Sequence, residues 1–211
     1  MRKWECTVCG YIHEGAEPPD ECPVCSADKS MFVEITEQTP PVEPKSAAAT
    51  TTLPATNPTF LAKVYAFASE QILRHHLHPI AVHTPNGILP MVLVFALIAA
   101  FFVRPNFEKA AFYSVIFVLI NMPVVIFTGY EVWQKRYQGA MTSTFKIKIA
   151  ASAITFILLS FLSLWHALQP DILTTPSSGR WVYLVLTAVV VGAVGAAGHV
   201  GGKLVFGSRK N

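Results

Sequence analysis

The most regular feature of the chain is a set of four apolar stretches, each free of Asp, Glu, Lys and Arg for at least about 20 residues. They cover residues 75–103, 110–130, 149–168 and 181–202. About 20 apolar residues form an α-helix that crosses a bilayer. These stretches are apolar on all sides, whereas the helices of a soluble bundle need a polar face. The sequence therefore predicts a four-helix transmembrane bundle, with spans at about 80–103, 109–132, 147–168 and 181–205.

Composition agrees with a membrane domain and separates it from the N-terminal part. The 211 residues are 52% apolar and 14% charged, whereas about a quarter of the residues in a soluble domain are charged. Residues 1–35 have three basic and seven acidic side chains, a net charge of −4, and the other residues have a net charge of +7. Two physically different modules share the chain.

The segment between these modules has its own composition. Residues 36–59 contain five prolines and little apolar content, which is typical of an extended, flexible linker. Residues 60–74 follow, with Phe60, Val64 and Phe67 spaced three to four apart. This spacing predicts a short amphipathic helix at the membrane interface.

The distribution of Lys and Arg predicts the orientation of the helices. Nine basic residues flank the membrane on the side of residues 63–74, 135–148 and 203–210, and three flank it on the other side. Since cytoplasmic loops have an excess of Lys and Arg, we expect both termini in the cytoplasm. The first residues lead directly into a cysteine motif instead of a signal peptide.

All four cysteines lie in the first 25 residues, as two C-x2-C pairs: Cys6, Cys9, Cys22 and Cys25. Twelve residues separate the pairs, so four thiolates can converge on one tetrahedral iron or zinc ion. Disulfides are the alternative, and the expected cytoplasmic location argues against them. The spacing alone leaves iron and zinc open.

The residues around the cysteines carry a family resemblance. The segments KWECTVCGY (3–11) and ECPVCS (21–26), with Glu14-Gly15, Pro18-Pro19, Lys29 and Phe32, resemble rubredoxin, in particular the rubredoxin-like domain of rubrerythrins. The resemblance covers about residues 2–35. It implies one Fe(Cys)4 centre in a small β-rich fold, with Trp4, Tyr11 and Phe32 as the aromatic core and Gly10 relieving strain. Ser26 departs from the pattern, because a glycine commonly follows the fourth cysteine.

Two histidines are candidate ligands within the membrane domain. Ionisable groups in a membrane span suggest function, and the expected topology brings His83 and His199 to matched depth. His199 lies on a stripe of small residues at helical spacing: Ala188, Gly192, Gly195 and Gly202. We therefore consider a haem b held by His83 and His199 in a groove that includes Gly195 and Gly202. The alternative is close packing of helices through the small residues.

Residues 75–206 carry a second, weaker resemblance. His78-Pro79, His83, Pro85 and the segment GGKLV (201–205) are similar to an uncharacterised family of four-helix prokaryotic membrane proteins of unknown function. This resemblance implies a multi-pass protein of the prokaryotic inner (cell) membrane.

These observations predict a membrane-anchored electron-transfer protein. Four thiolates leave no open position on the metal, so the head can pass single electrons between soluble cytoplasmic redox proteins and a membrane acceptor: haem b, a quinone or a larger redox complex. It would be a carrier or a subunit of a membrane oxidoreductase, not a stand-alone enzyme. The alternative is a non-enzymatic membrane tether or assembly factor with a structural zinc or iron head. No phosphate loop, dinucleotide motif or C-x-x-C-H haem motif occurs, and nucleic-acid binding has no support.

Overall fold

The computed structural model describes residues 2–35 and 59–207. In these residues a small antiparallel sheet is followed by helices, four of which are long and apolar enough to cross a membrane: Leu77–Phe102, Pro105–Arg136, Ser143–Leu168 and Ser178–Phe206. The predicted fold class, a β-rich cysteine-containing head and an all-α membrane domain, is confirmed. The predicted linker lies at residues 36–59, of which 36–58 are outside the described residues.

Within residues 59–207, six α-helices follow the head. They are α1 (Phe60–Arg74), α2 (Leu77–Ala81), α3 (His83–Phe102), α4 (Pro105–Arg136), α5 (Ser143–Leu168) and α6 (Ser178–Phe206). Together α2 and α3 form the first membrane-length helix, with Val82 as the turn between them. Helix α4 extends past the charge-free stretch at both ends, through Glu108 and Glu131.

The head is a three-stranded sheet with strand order β2-β1-β3. Its strands are β1 (Arg2–Cys6), β2 (Ile12–Gly15) and β3 (Phe32–Ile35). The central strand pairs antiparallel with both neighbours, with Trp4 opposite His13 on one side and Glu34 on the other. A 3-10 helix at Lys29–Met31 precedes β3.

The described residues form two compact units. Unit 1 contains the head, α1, the end of α4, the following turn, the start of α5 and the end of α6; unit 2 contains residues 79–127 and 146–201. Unit 2 has a core of small and branched side chains, among them Ala96, Ala99, Leu89 and Leu159, each at most 1% exposed.

A buried carboxylate in unit 2 binds the loop between α5 and α6. Glu108, 2% exposed, accepts hydrogen bonds from the backbone N–H of Leu173 at 2.7 Å and the hydroxyl of Thr174 at 2.6 Å. These bonds attach the α5–α6 loop to the start of α4. They satisfy a carboxylate that would be costly to bury alone.

In unit 1, helix α1 packs its polar side against α4. The hydroxyls of Tyr65 and Ser69 donate to the buried carboxylate of Glu131, and the Lys135 Nζ lies 3.5 Å from the same carboxylate. The hydrogen bond to Glu131 raises the pKa of Tyr65. The predicted apolar face is left exposed: Phe60 and Phe67 are 77% and 65% exposed. An interfacial position for α1 stays a prediction, which this exposed apolar face supports.

Candidate metal centre

Each C-x2-C pair forms a tight turn with the same hydrogen bonds. In the first, the N–H of Gly10 donates to the Cys6 carbonyl at 2.8 Å; in the second, the N–H of Ser26 donates to the Cys22 carbonyl at 2.9 Å. The residue after each pair has a left-handed backbone, with φ of 71° at Gly10 and 57° at Ser26. We call residues 6–10 the first knuckle and residues 22–26 the second knuckle.

The four sulfur atoms converge on one point. All lie within 4.8 Å of one another. The Sγ atoms of Cys6 and Cys25 are 3.7 Å apart, and those of Cys9 and Cys22 are 3.6 Å apart. A tetrahedron with metal–sulfur bonds of about 2.3 Å has edges of about 3.8 Å, whereas a disulfide needs about 2.05 Å. The cysteines are free thiols arranged as a metal-binding site.

The electrostatics of the cluster also fit a cation. Hydrogen bonds from Cys25 and Cys6 lower the pKa of Cys22, which favours its thiolate form. Hydrogen bonding to Cys22 raises the pKa of Cys9. A metal would replace the shared protons, so its binding releases protons and weakens in acid.

Protein surrounds the cluster on most sides. Cys6, Cys22 and Cys25 are at most 1% exposed, and Cys9 is half-buried. They form one apolar cluster with Phe32 of the head and with three buried residues from the helix ends of unit 1: Tyr137, Phe145 and Leu204. Burial raises the pKa of Tyr137, so its phenol stays protonated. The metal site is therefore covered partly by residues from outside the head.

Both histidines of the predicted haem pair are exposed residues of unit 2. His83, at the start of α3, donates from Nδ1 to the carbonyl oxygen of Pro79 at 2.6 Å, and His199 lies on α6. The bond at Nδ1 leaves the lone pair of His83 Nε2 available for a ligand. The haem pair stays a prediction.

Three glycines of the stripe on α6 lie next to open space in the described part of the chain. A Cβ at Gly192, Gly195 or Gly202 would meet no atom within 4 Å. Close packing through these three glycines, the alternative considered above, therefore does not occur among the described residues. Gly198 differs, because a Cβ there would lie 2.6 Å from the Oδ1 of Asn86.

Several buried or interacting polar groups of the structure could not be recognised from a sequence motif. They are the carboxylates of Glu108 and Glu131, the Tyr137 phenol next to the cluster, and a hydrogen bond from the Thr144 hydroxyl to the Ser26 hydroxyl at 3.3 Å. His166 is 4% exposed and stacks on Phe112 with ring centroids 4.4 Å apart. The only sequence signal was an acidic residue near each edge of an apolar stretch, at residues 108 and 131.

Both the N-terminal head and the membrane domain are similar to known protein families. Residues 4–33 match the rubredoxin-like domain of rubrerythrin. The chain is 50% identical over 38 residues to reverse rubrerythrin-1 of Clostridium acetobutylicum, covering 18% of this chain and 21% of that protein. It is 50% identical over 30 residues to rubrerythrin of Nitratidesulfovibrio vulgaris, covering 14% and 16%. The chain thus spans about a fifth of the length of the first relative and less than a fifth of the second.

A small rubredoxin is matched over nearly its whole length. The chain is 37% identical over 51 residues to rubredoxin of Megasphaera elsdenii, covering 17% of this chain and 98% of that protein. No solved structure matches. Residues 74–209, more than half of the chain, match the family described as predicted membrane protein (DUF2231). The chain therefore belongs to the DUF2231 family of predicted membrane proteins and carries an N-terminal domain of the rubredoxin family.

Proposed function

We propose that this protein is a membrane-anchored electron carrier. A rubredoxin-type iron centre held by Cys6, Cys9, Cys22 and Cys25 passes single electrons between soluble cytoplasmic redox proteins and a membrane acceptor. The tetrahedral cluster of four thiols is the observation that carries this proposal. Four thiolates fill the coordination sphere of the metal, so the centre changes its redox state but binds no substrate.

The chain supplies the environment of the centre. The iron would provide the one-electron chemistry, while the two knuckles hold the sulfur atoms and the buried aromatic residues exclude water. Exposed carboxylates lie on β2 and in the segment that follows it: Glu14, Glu17, Asp20 and Glu21. A basic partner surface would be attracted to them, and this attraction weakens as salt increases.

An absorption spectrum of the full-length protein purified in detergent tests this function. We expect a ferric-thiolate band in the visible range that bleaches on addition of one electron per chain, because each chain has one Fe(Cys)4 centre. Metal analysis of the same sample should find one iron per chain. A colourless protein with one zinc per chain would contradict electron transfer and favour the tether or assembly factor.

We further propose that both termini lie in the cytoplasm of a prokaryotic cell. The excess of Lys and Arg supports this orientation. The head, the turn between α4 and α5 and the end of α6 belong to the same compact unit. This supports the orientation, because segments of one compact unit must lie on the same side of the membrane.

Reporter fusions test the orientation. A reporter that is active only in the periplasm should be inactive when fused after Asn211 and active when inserted near Ser177, in the loop between α5 and α6. The reverse pattern would place the thiols on the oxidising side of the membrane and contradict the proposal.

For the membrane acceptor we propose a haem b that His83 and His199 would hold; a quinone or a larger redox complex is the alternative. The lone pair left on His83 Nε2 and the open surface at Gly195 and Gly202 support a haem.

Substitutions at these residues test the haem. We expect His83→Ala or His199→Ala to abolish a low-spin haem signal, and His166→Ala to leave it unchanged. Gly195→Leu should remove the haem with helix content retained, since a Cβ at this position meets no atom of the bundle. If no preparation contains haem, the acceptor is not a haem of this chain.

A further inference from the structure

The two knuckles share their hydrogen bonds but differ in their surroundings. The residue after the first pair is the exposed Gly10, and the residue after the second pair is the half-buried Ser26. Val24, at the tip of the second knuckle, is 5% exposed. The second knuckle is thus the more covered of the two.

The cover of the second knuckle comes from the helix ends of unit 1. The hydroxyl of Thr144, on α5, donates to the hydroxyl of Ser26 at 3.3 Å. The Cγ2 of Val24 would lie 3.0 Å from a Cβ at Gly207, which follows α6. This valine packs in one cluster with Phe145 and Leu204, which are 4% and 2% exposed.

The serine in the second knuckle is not the residue that its backbone favours. Ser26 has a φ of 57°, a left-handed conformation in which a glycine is free of strain and a side chain is not. A glycine would therefore suit the isolated head better. The hydroxyl that the serine adds makes its contact with Thr144, outside the head.

We propose that the second knuckle is a docking element, by which the metal-loaded head binds the helix ends of its own chain at Thr144, Phe145, Leu204 and Gly207. The knuckle keeps its shape through Cys22 and Cys25, so docking depends on the bound metal. This inference deepens the proposed electron transfer, on which its functional meaning rests, because it names the membrane domain of the same chain as the partner of the head.

The docked arrangement also indicates where an electron would leave the centre. Tyr137 and Phe145 lie in the same cluster as the cysteines, with their ring centroids 5.0 Å apart. An electron from the reduced iron of the proposed centre would cross this aromatic pair to the acceptor proposed for the membrane domain. A soluble partner would approach the exposed acidic side of the head instead.

Cleavage of the linker tests docking in the complete protein. A specific protease site is inserted between residues 36 and 58 of the full chain, the metal-loaded protein is cleaved in lipid nanodiscs, and the fraction of heads that co-elutes with the nanodiscs is measured. We expect at least nine tenths of the heads to stay bound at micromolar concentration. Release of most heads from the wild-type protein would overturn the proposal.

Point substitutions separate docking from folding of the head. Phe145→Ala should increase head release at least tenfold. Ser26→Gly and Thr144→Val should each increase it about threefold, and the double variant no further, since both remove one contact. Ser26→Gly should at the same time leave metal retention against a chelator equal to or better than in the wild type. Thr7→Val, which removes a hydroxyl of the first knuckle, serves as the control and should release no additional head.

Three results distinguish this inference from the proposed function. Unchanged release in Ser26→Gly and Thr144→Val would refute the role of the second knuckle, whatever the metal. A head that stays docked but holds zinc would support the docking element and contradict electron transfer. A redox-active iron head that leaves the membrane domain after cleavage would contradict the docking element and support electron transfer.

Discussion

Replacement of Cys9 by serine is expected to unfold the head and to reduce its metal content to less than a tenth of the wild-type value. About 35 residues bury too little apolar surface to fold alone, so the free energy of metal binding, about 10 kcal/mol or more for a structural site, stabilises the fold. Serine fits sterically at the half-buried Cys9. It cannot replace a thiolate ligand whose sulfur lies 3.6 Å from that of Cys22.

Two measurements check this result in the full-length protein. Elemental analysis gives the metal content per chain, and limited proteolysis followed by mass spectrometry gives the protection of residues 2–35. Val33→Ala, at a 54% exposed position on β3, is the matched control and should keep both values. A Cys9→Ser protein with full metal content and a protected head would show that the site does not need four thiolates.

The metal site could be predicted from the sequence because its geometry is local. Each C-x2-C pair brings two sulfur atoms together within a single turn, so only the approach of the two turns depends on the rest of the fold. The membrane helices could be predicted for a related reason. A bilayer requires a long run of apolar residues in every span, and this requirement needs no knowledge of tertiary partners.

The buried carboxylates could not be predicted in this way. Glu131 is satisfied by hydroxyls of Tyr65 and Ser69, which are 66 and 62 residues away in the chain. An acidic residue at the edge of an apolar stretch normally indicates the start of a loop. Here α4 continues through it, because partners from α1 satisfy the carboxylate.

Helical spacing placed Gly192, Gly195 and His199 on one face of α6 but could not say what that face contacts. The structure leaves open space at both glycines, so this face is directed away from the bundle. Ser26 is a second example of a residue whose contacts could not be predicted from the sequence. The departure from glycine was visible in the sequence, whereas its contact, Thr144, is 118 residues further along the chain.

Replacement of Glu108 by alanine is expected to release the loop between α5 and α6. Glu108 accepts two hydrogen bonds, from the Leu173 N–H and the Thr174 hydroxyl. Its loss leaves the backbone N–H of Leu173, a residue with no exposed surface, without its partner. Hydrogen bonds to charged groups contribute about 1.5–3 kcal/mol each, so we expect the free energy of opening the loop to fall by about 3 kcal/mol.

The rate of tryptic cleavage after Arg180 measures this opening, because Arg180 follows the loop and its Nη1 is bound to the Ala100 carbonyl at 3.1 Å. A loss of about 3 kcal/mol corresponds to roughly a hundredfold faster cleavage if cleavage follows the open population. Thr174→Val removes one of the two bonds and leaves the Leu173 N–H satisfied, so it should accelerate cleavage much less. Equal rates in Glu108→Ala and the wild type would show that other contacts hold the loop. Since the loop and the cysteine head belong to different units, metal content should stay at the wild-type value in both variants.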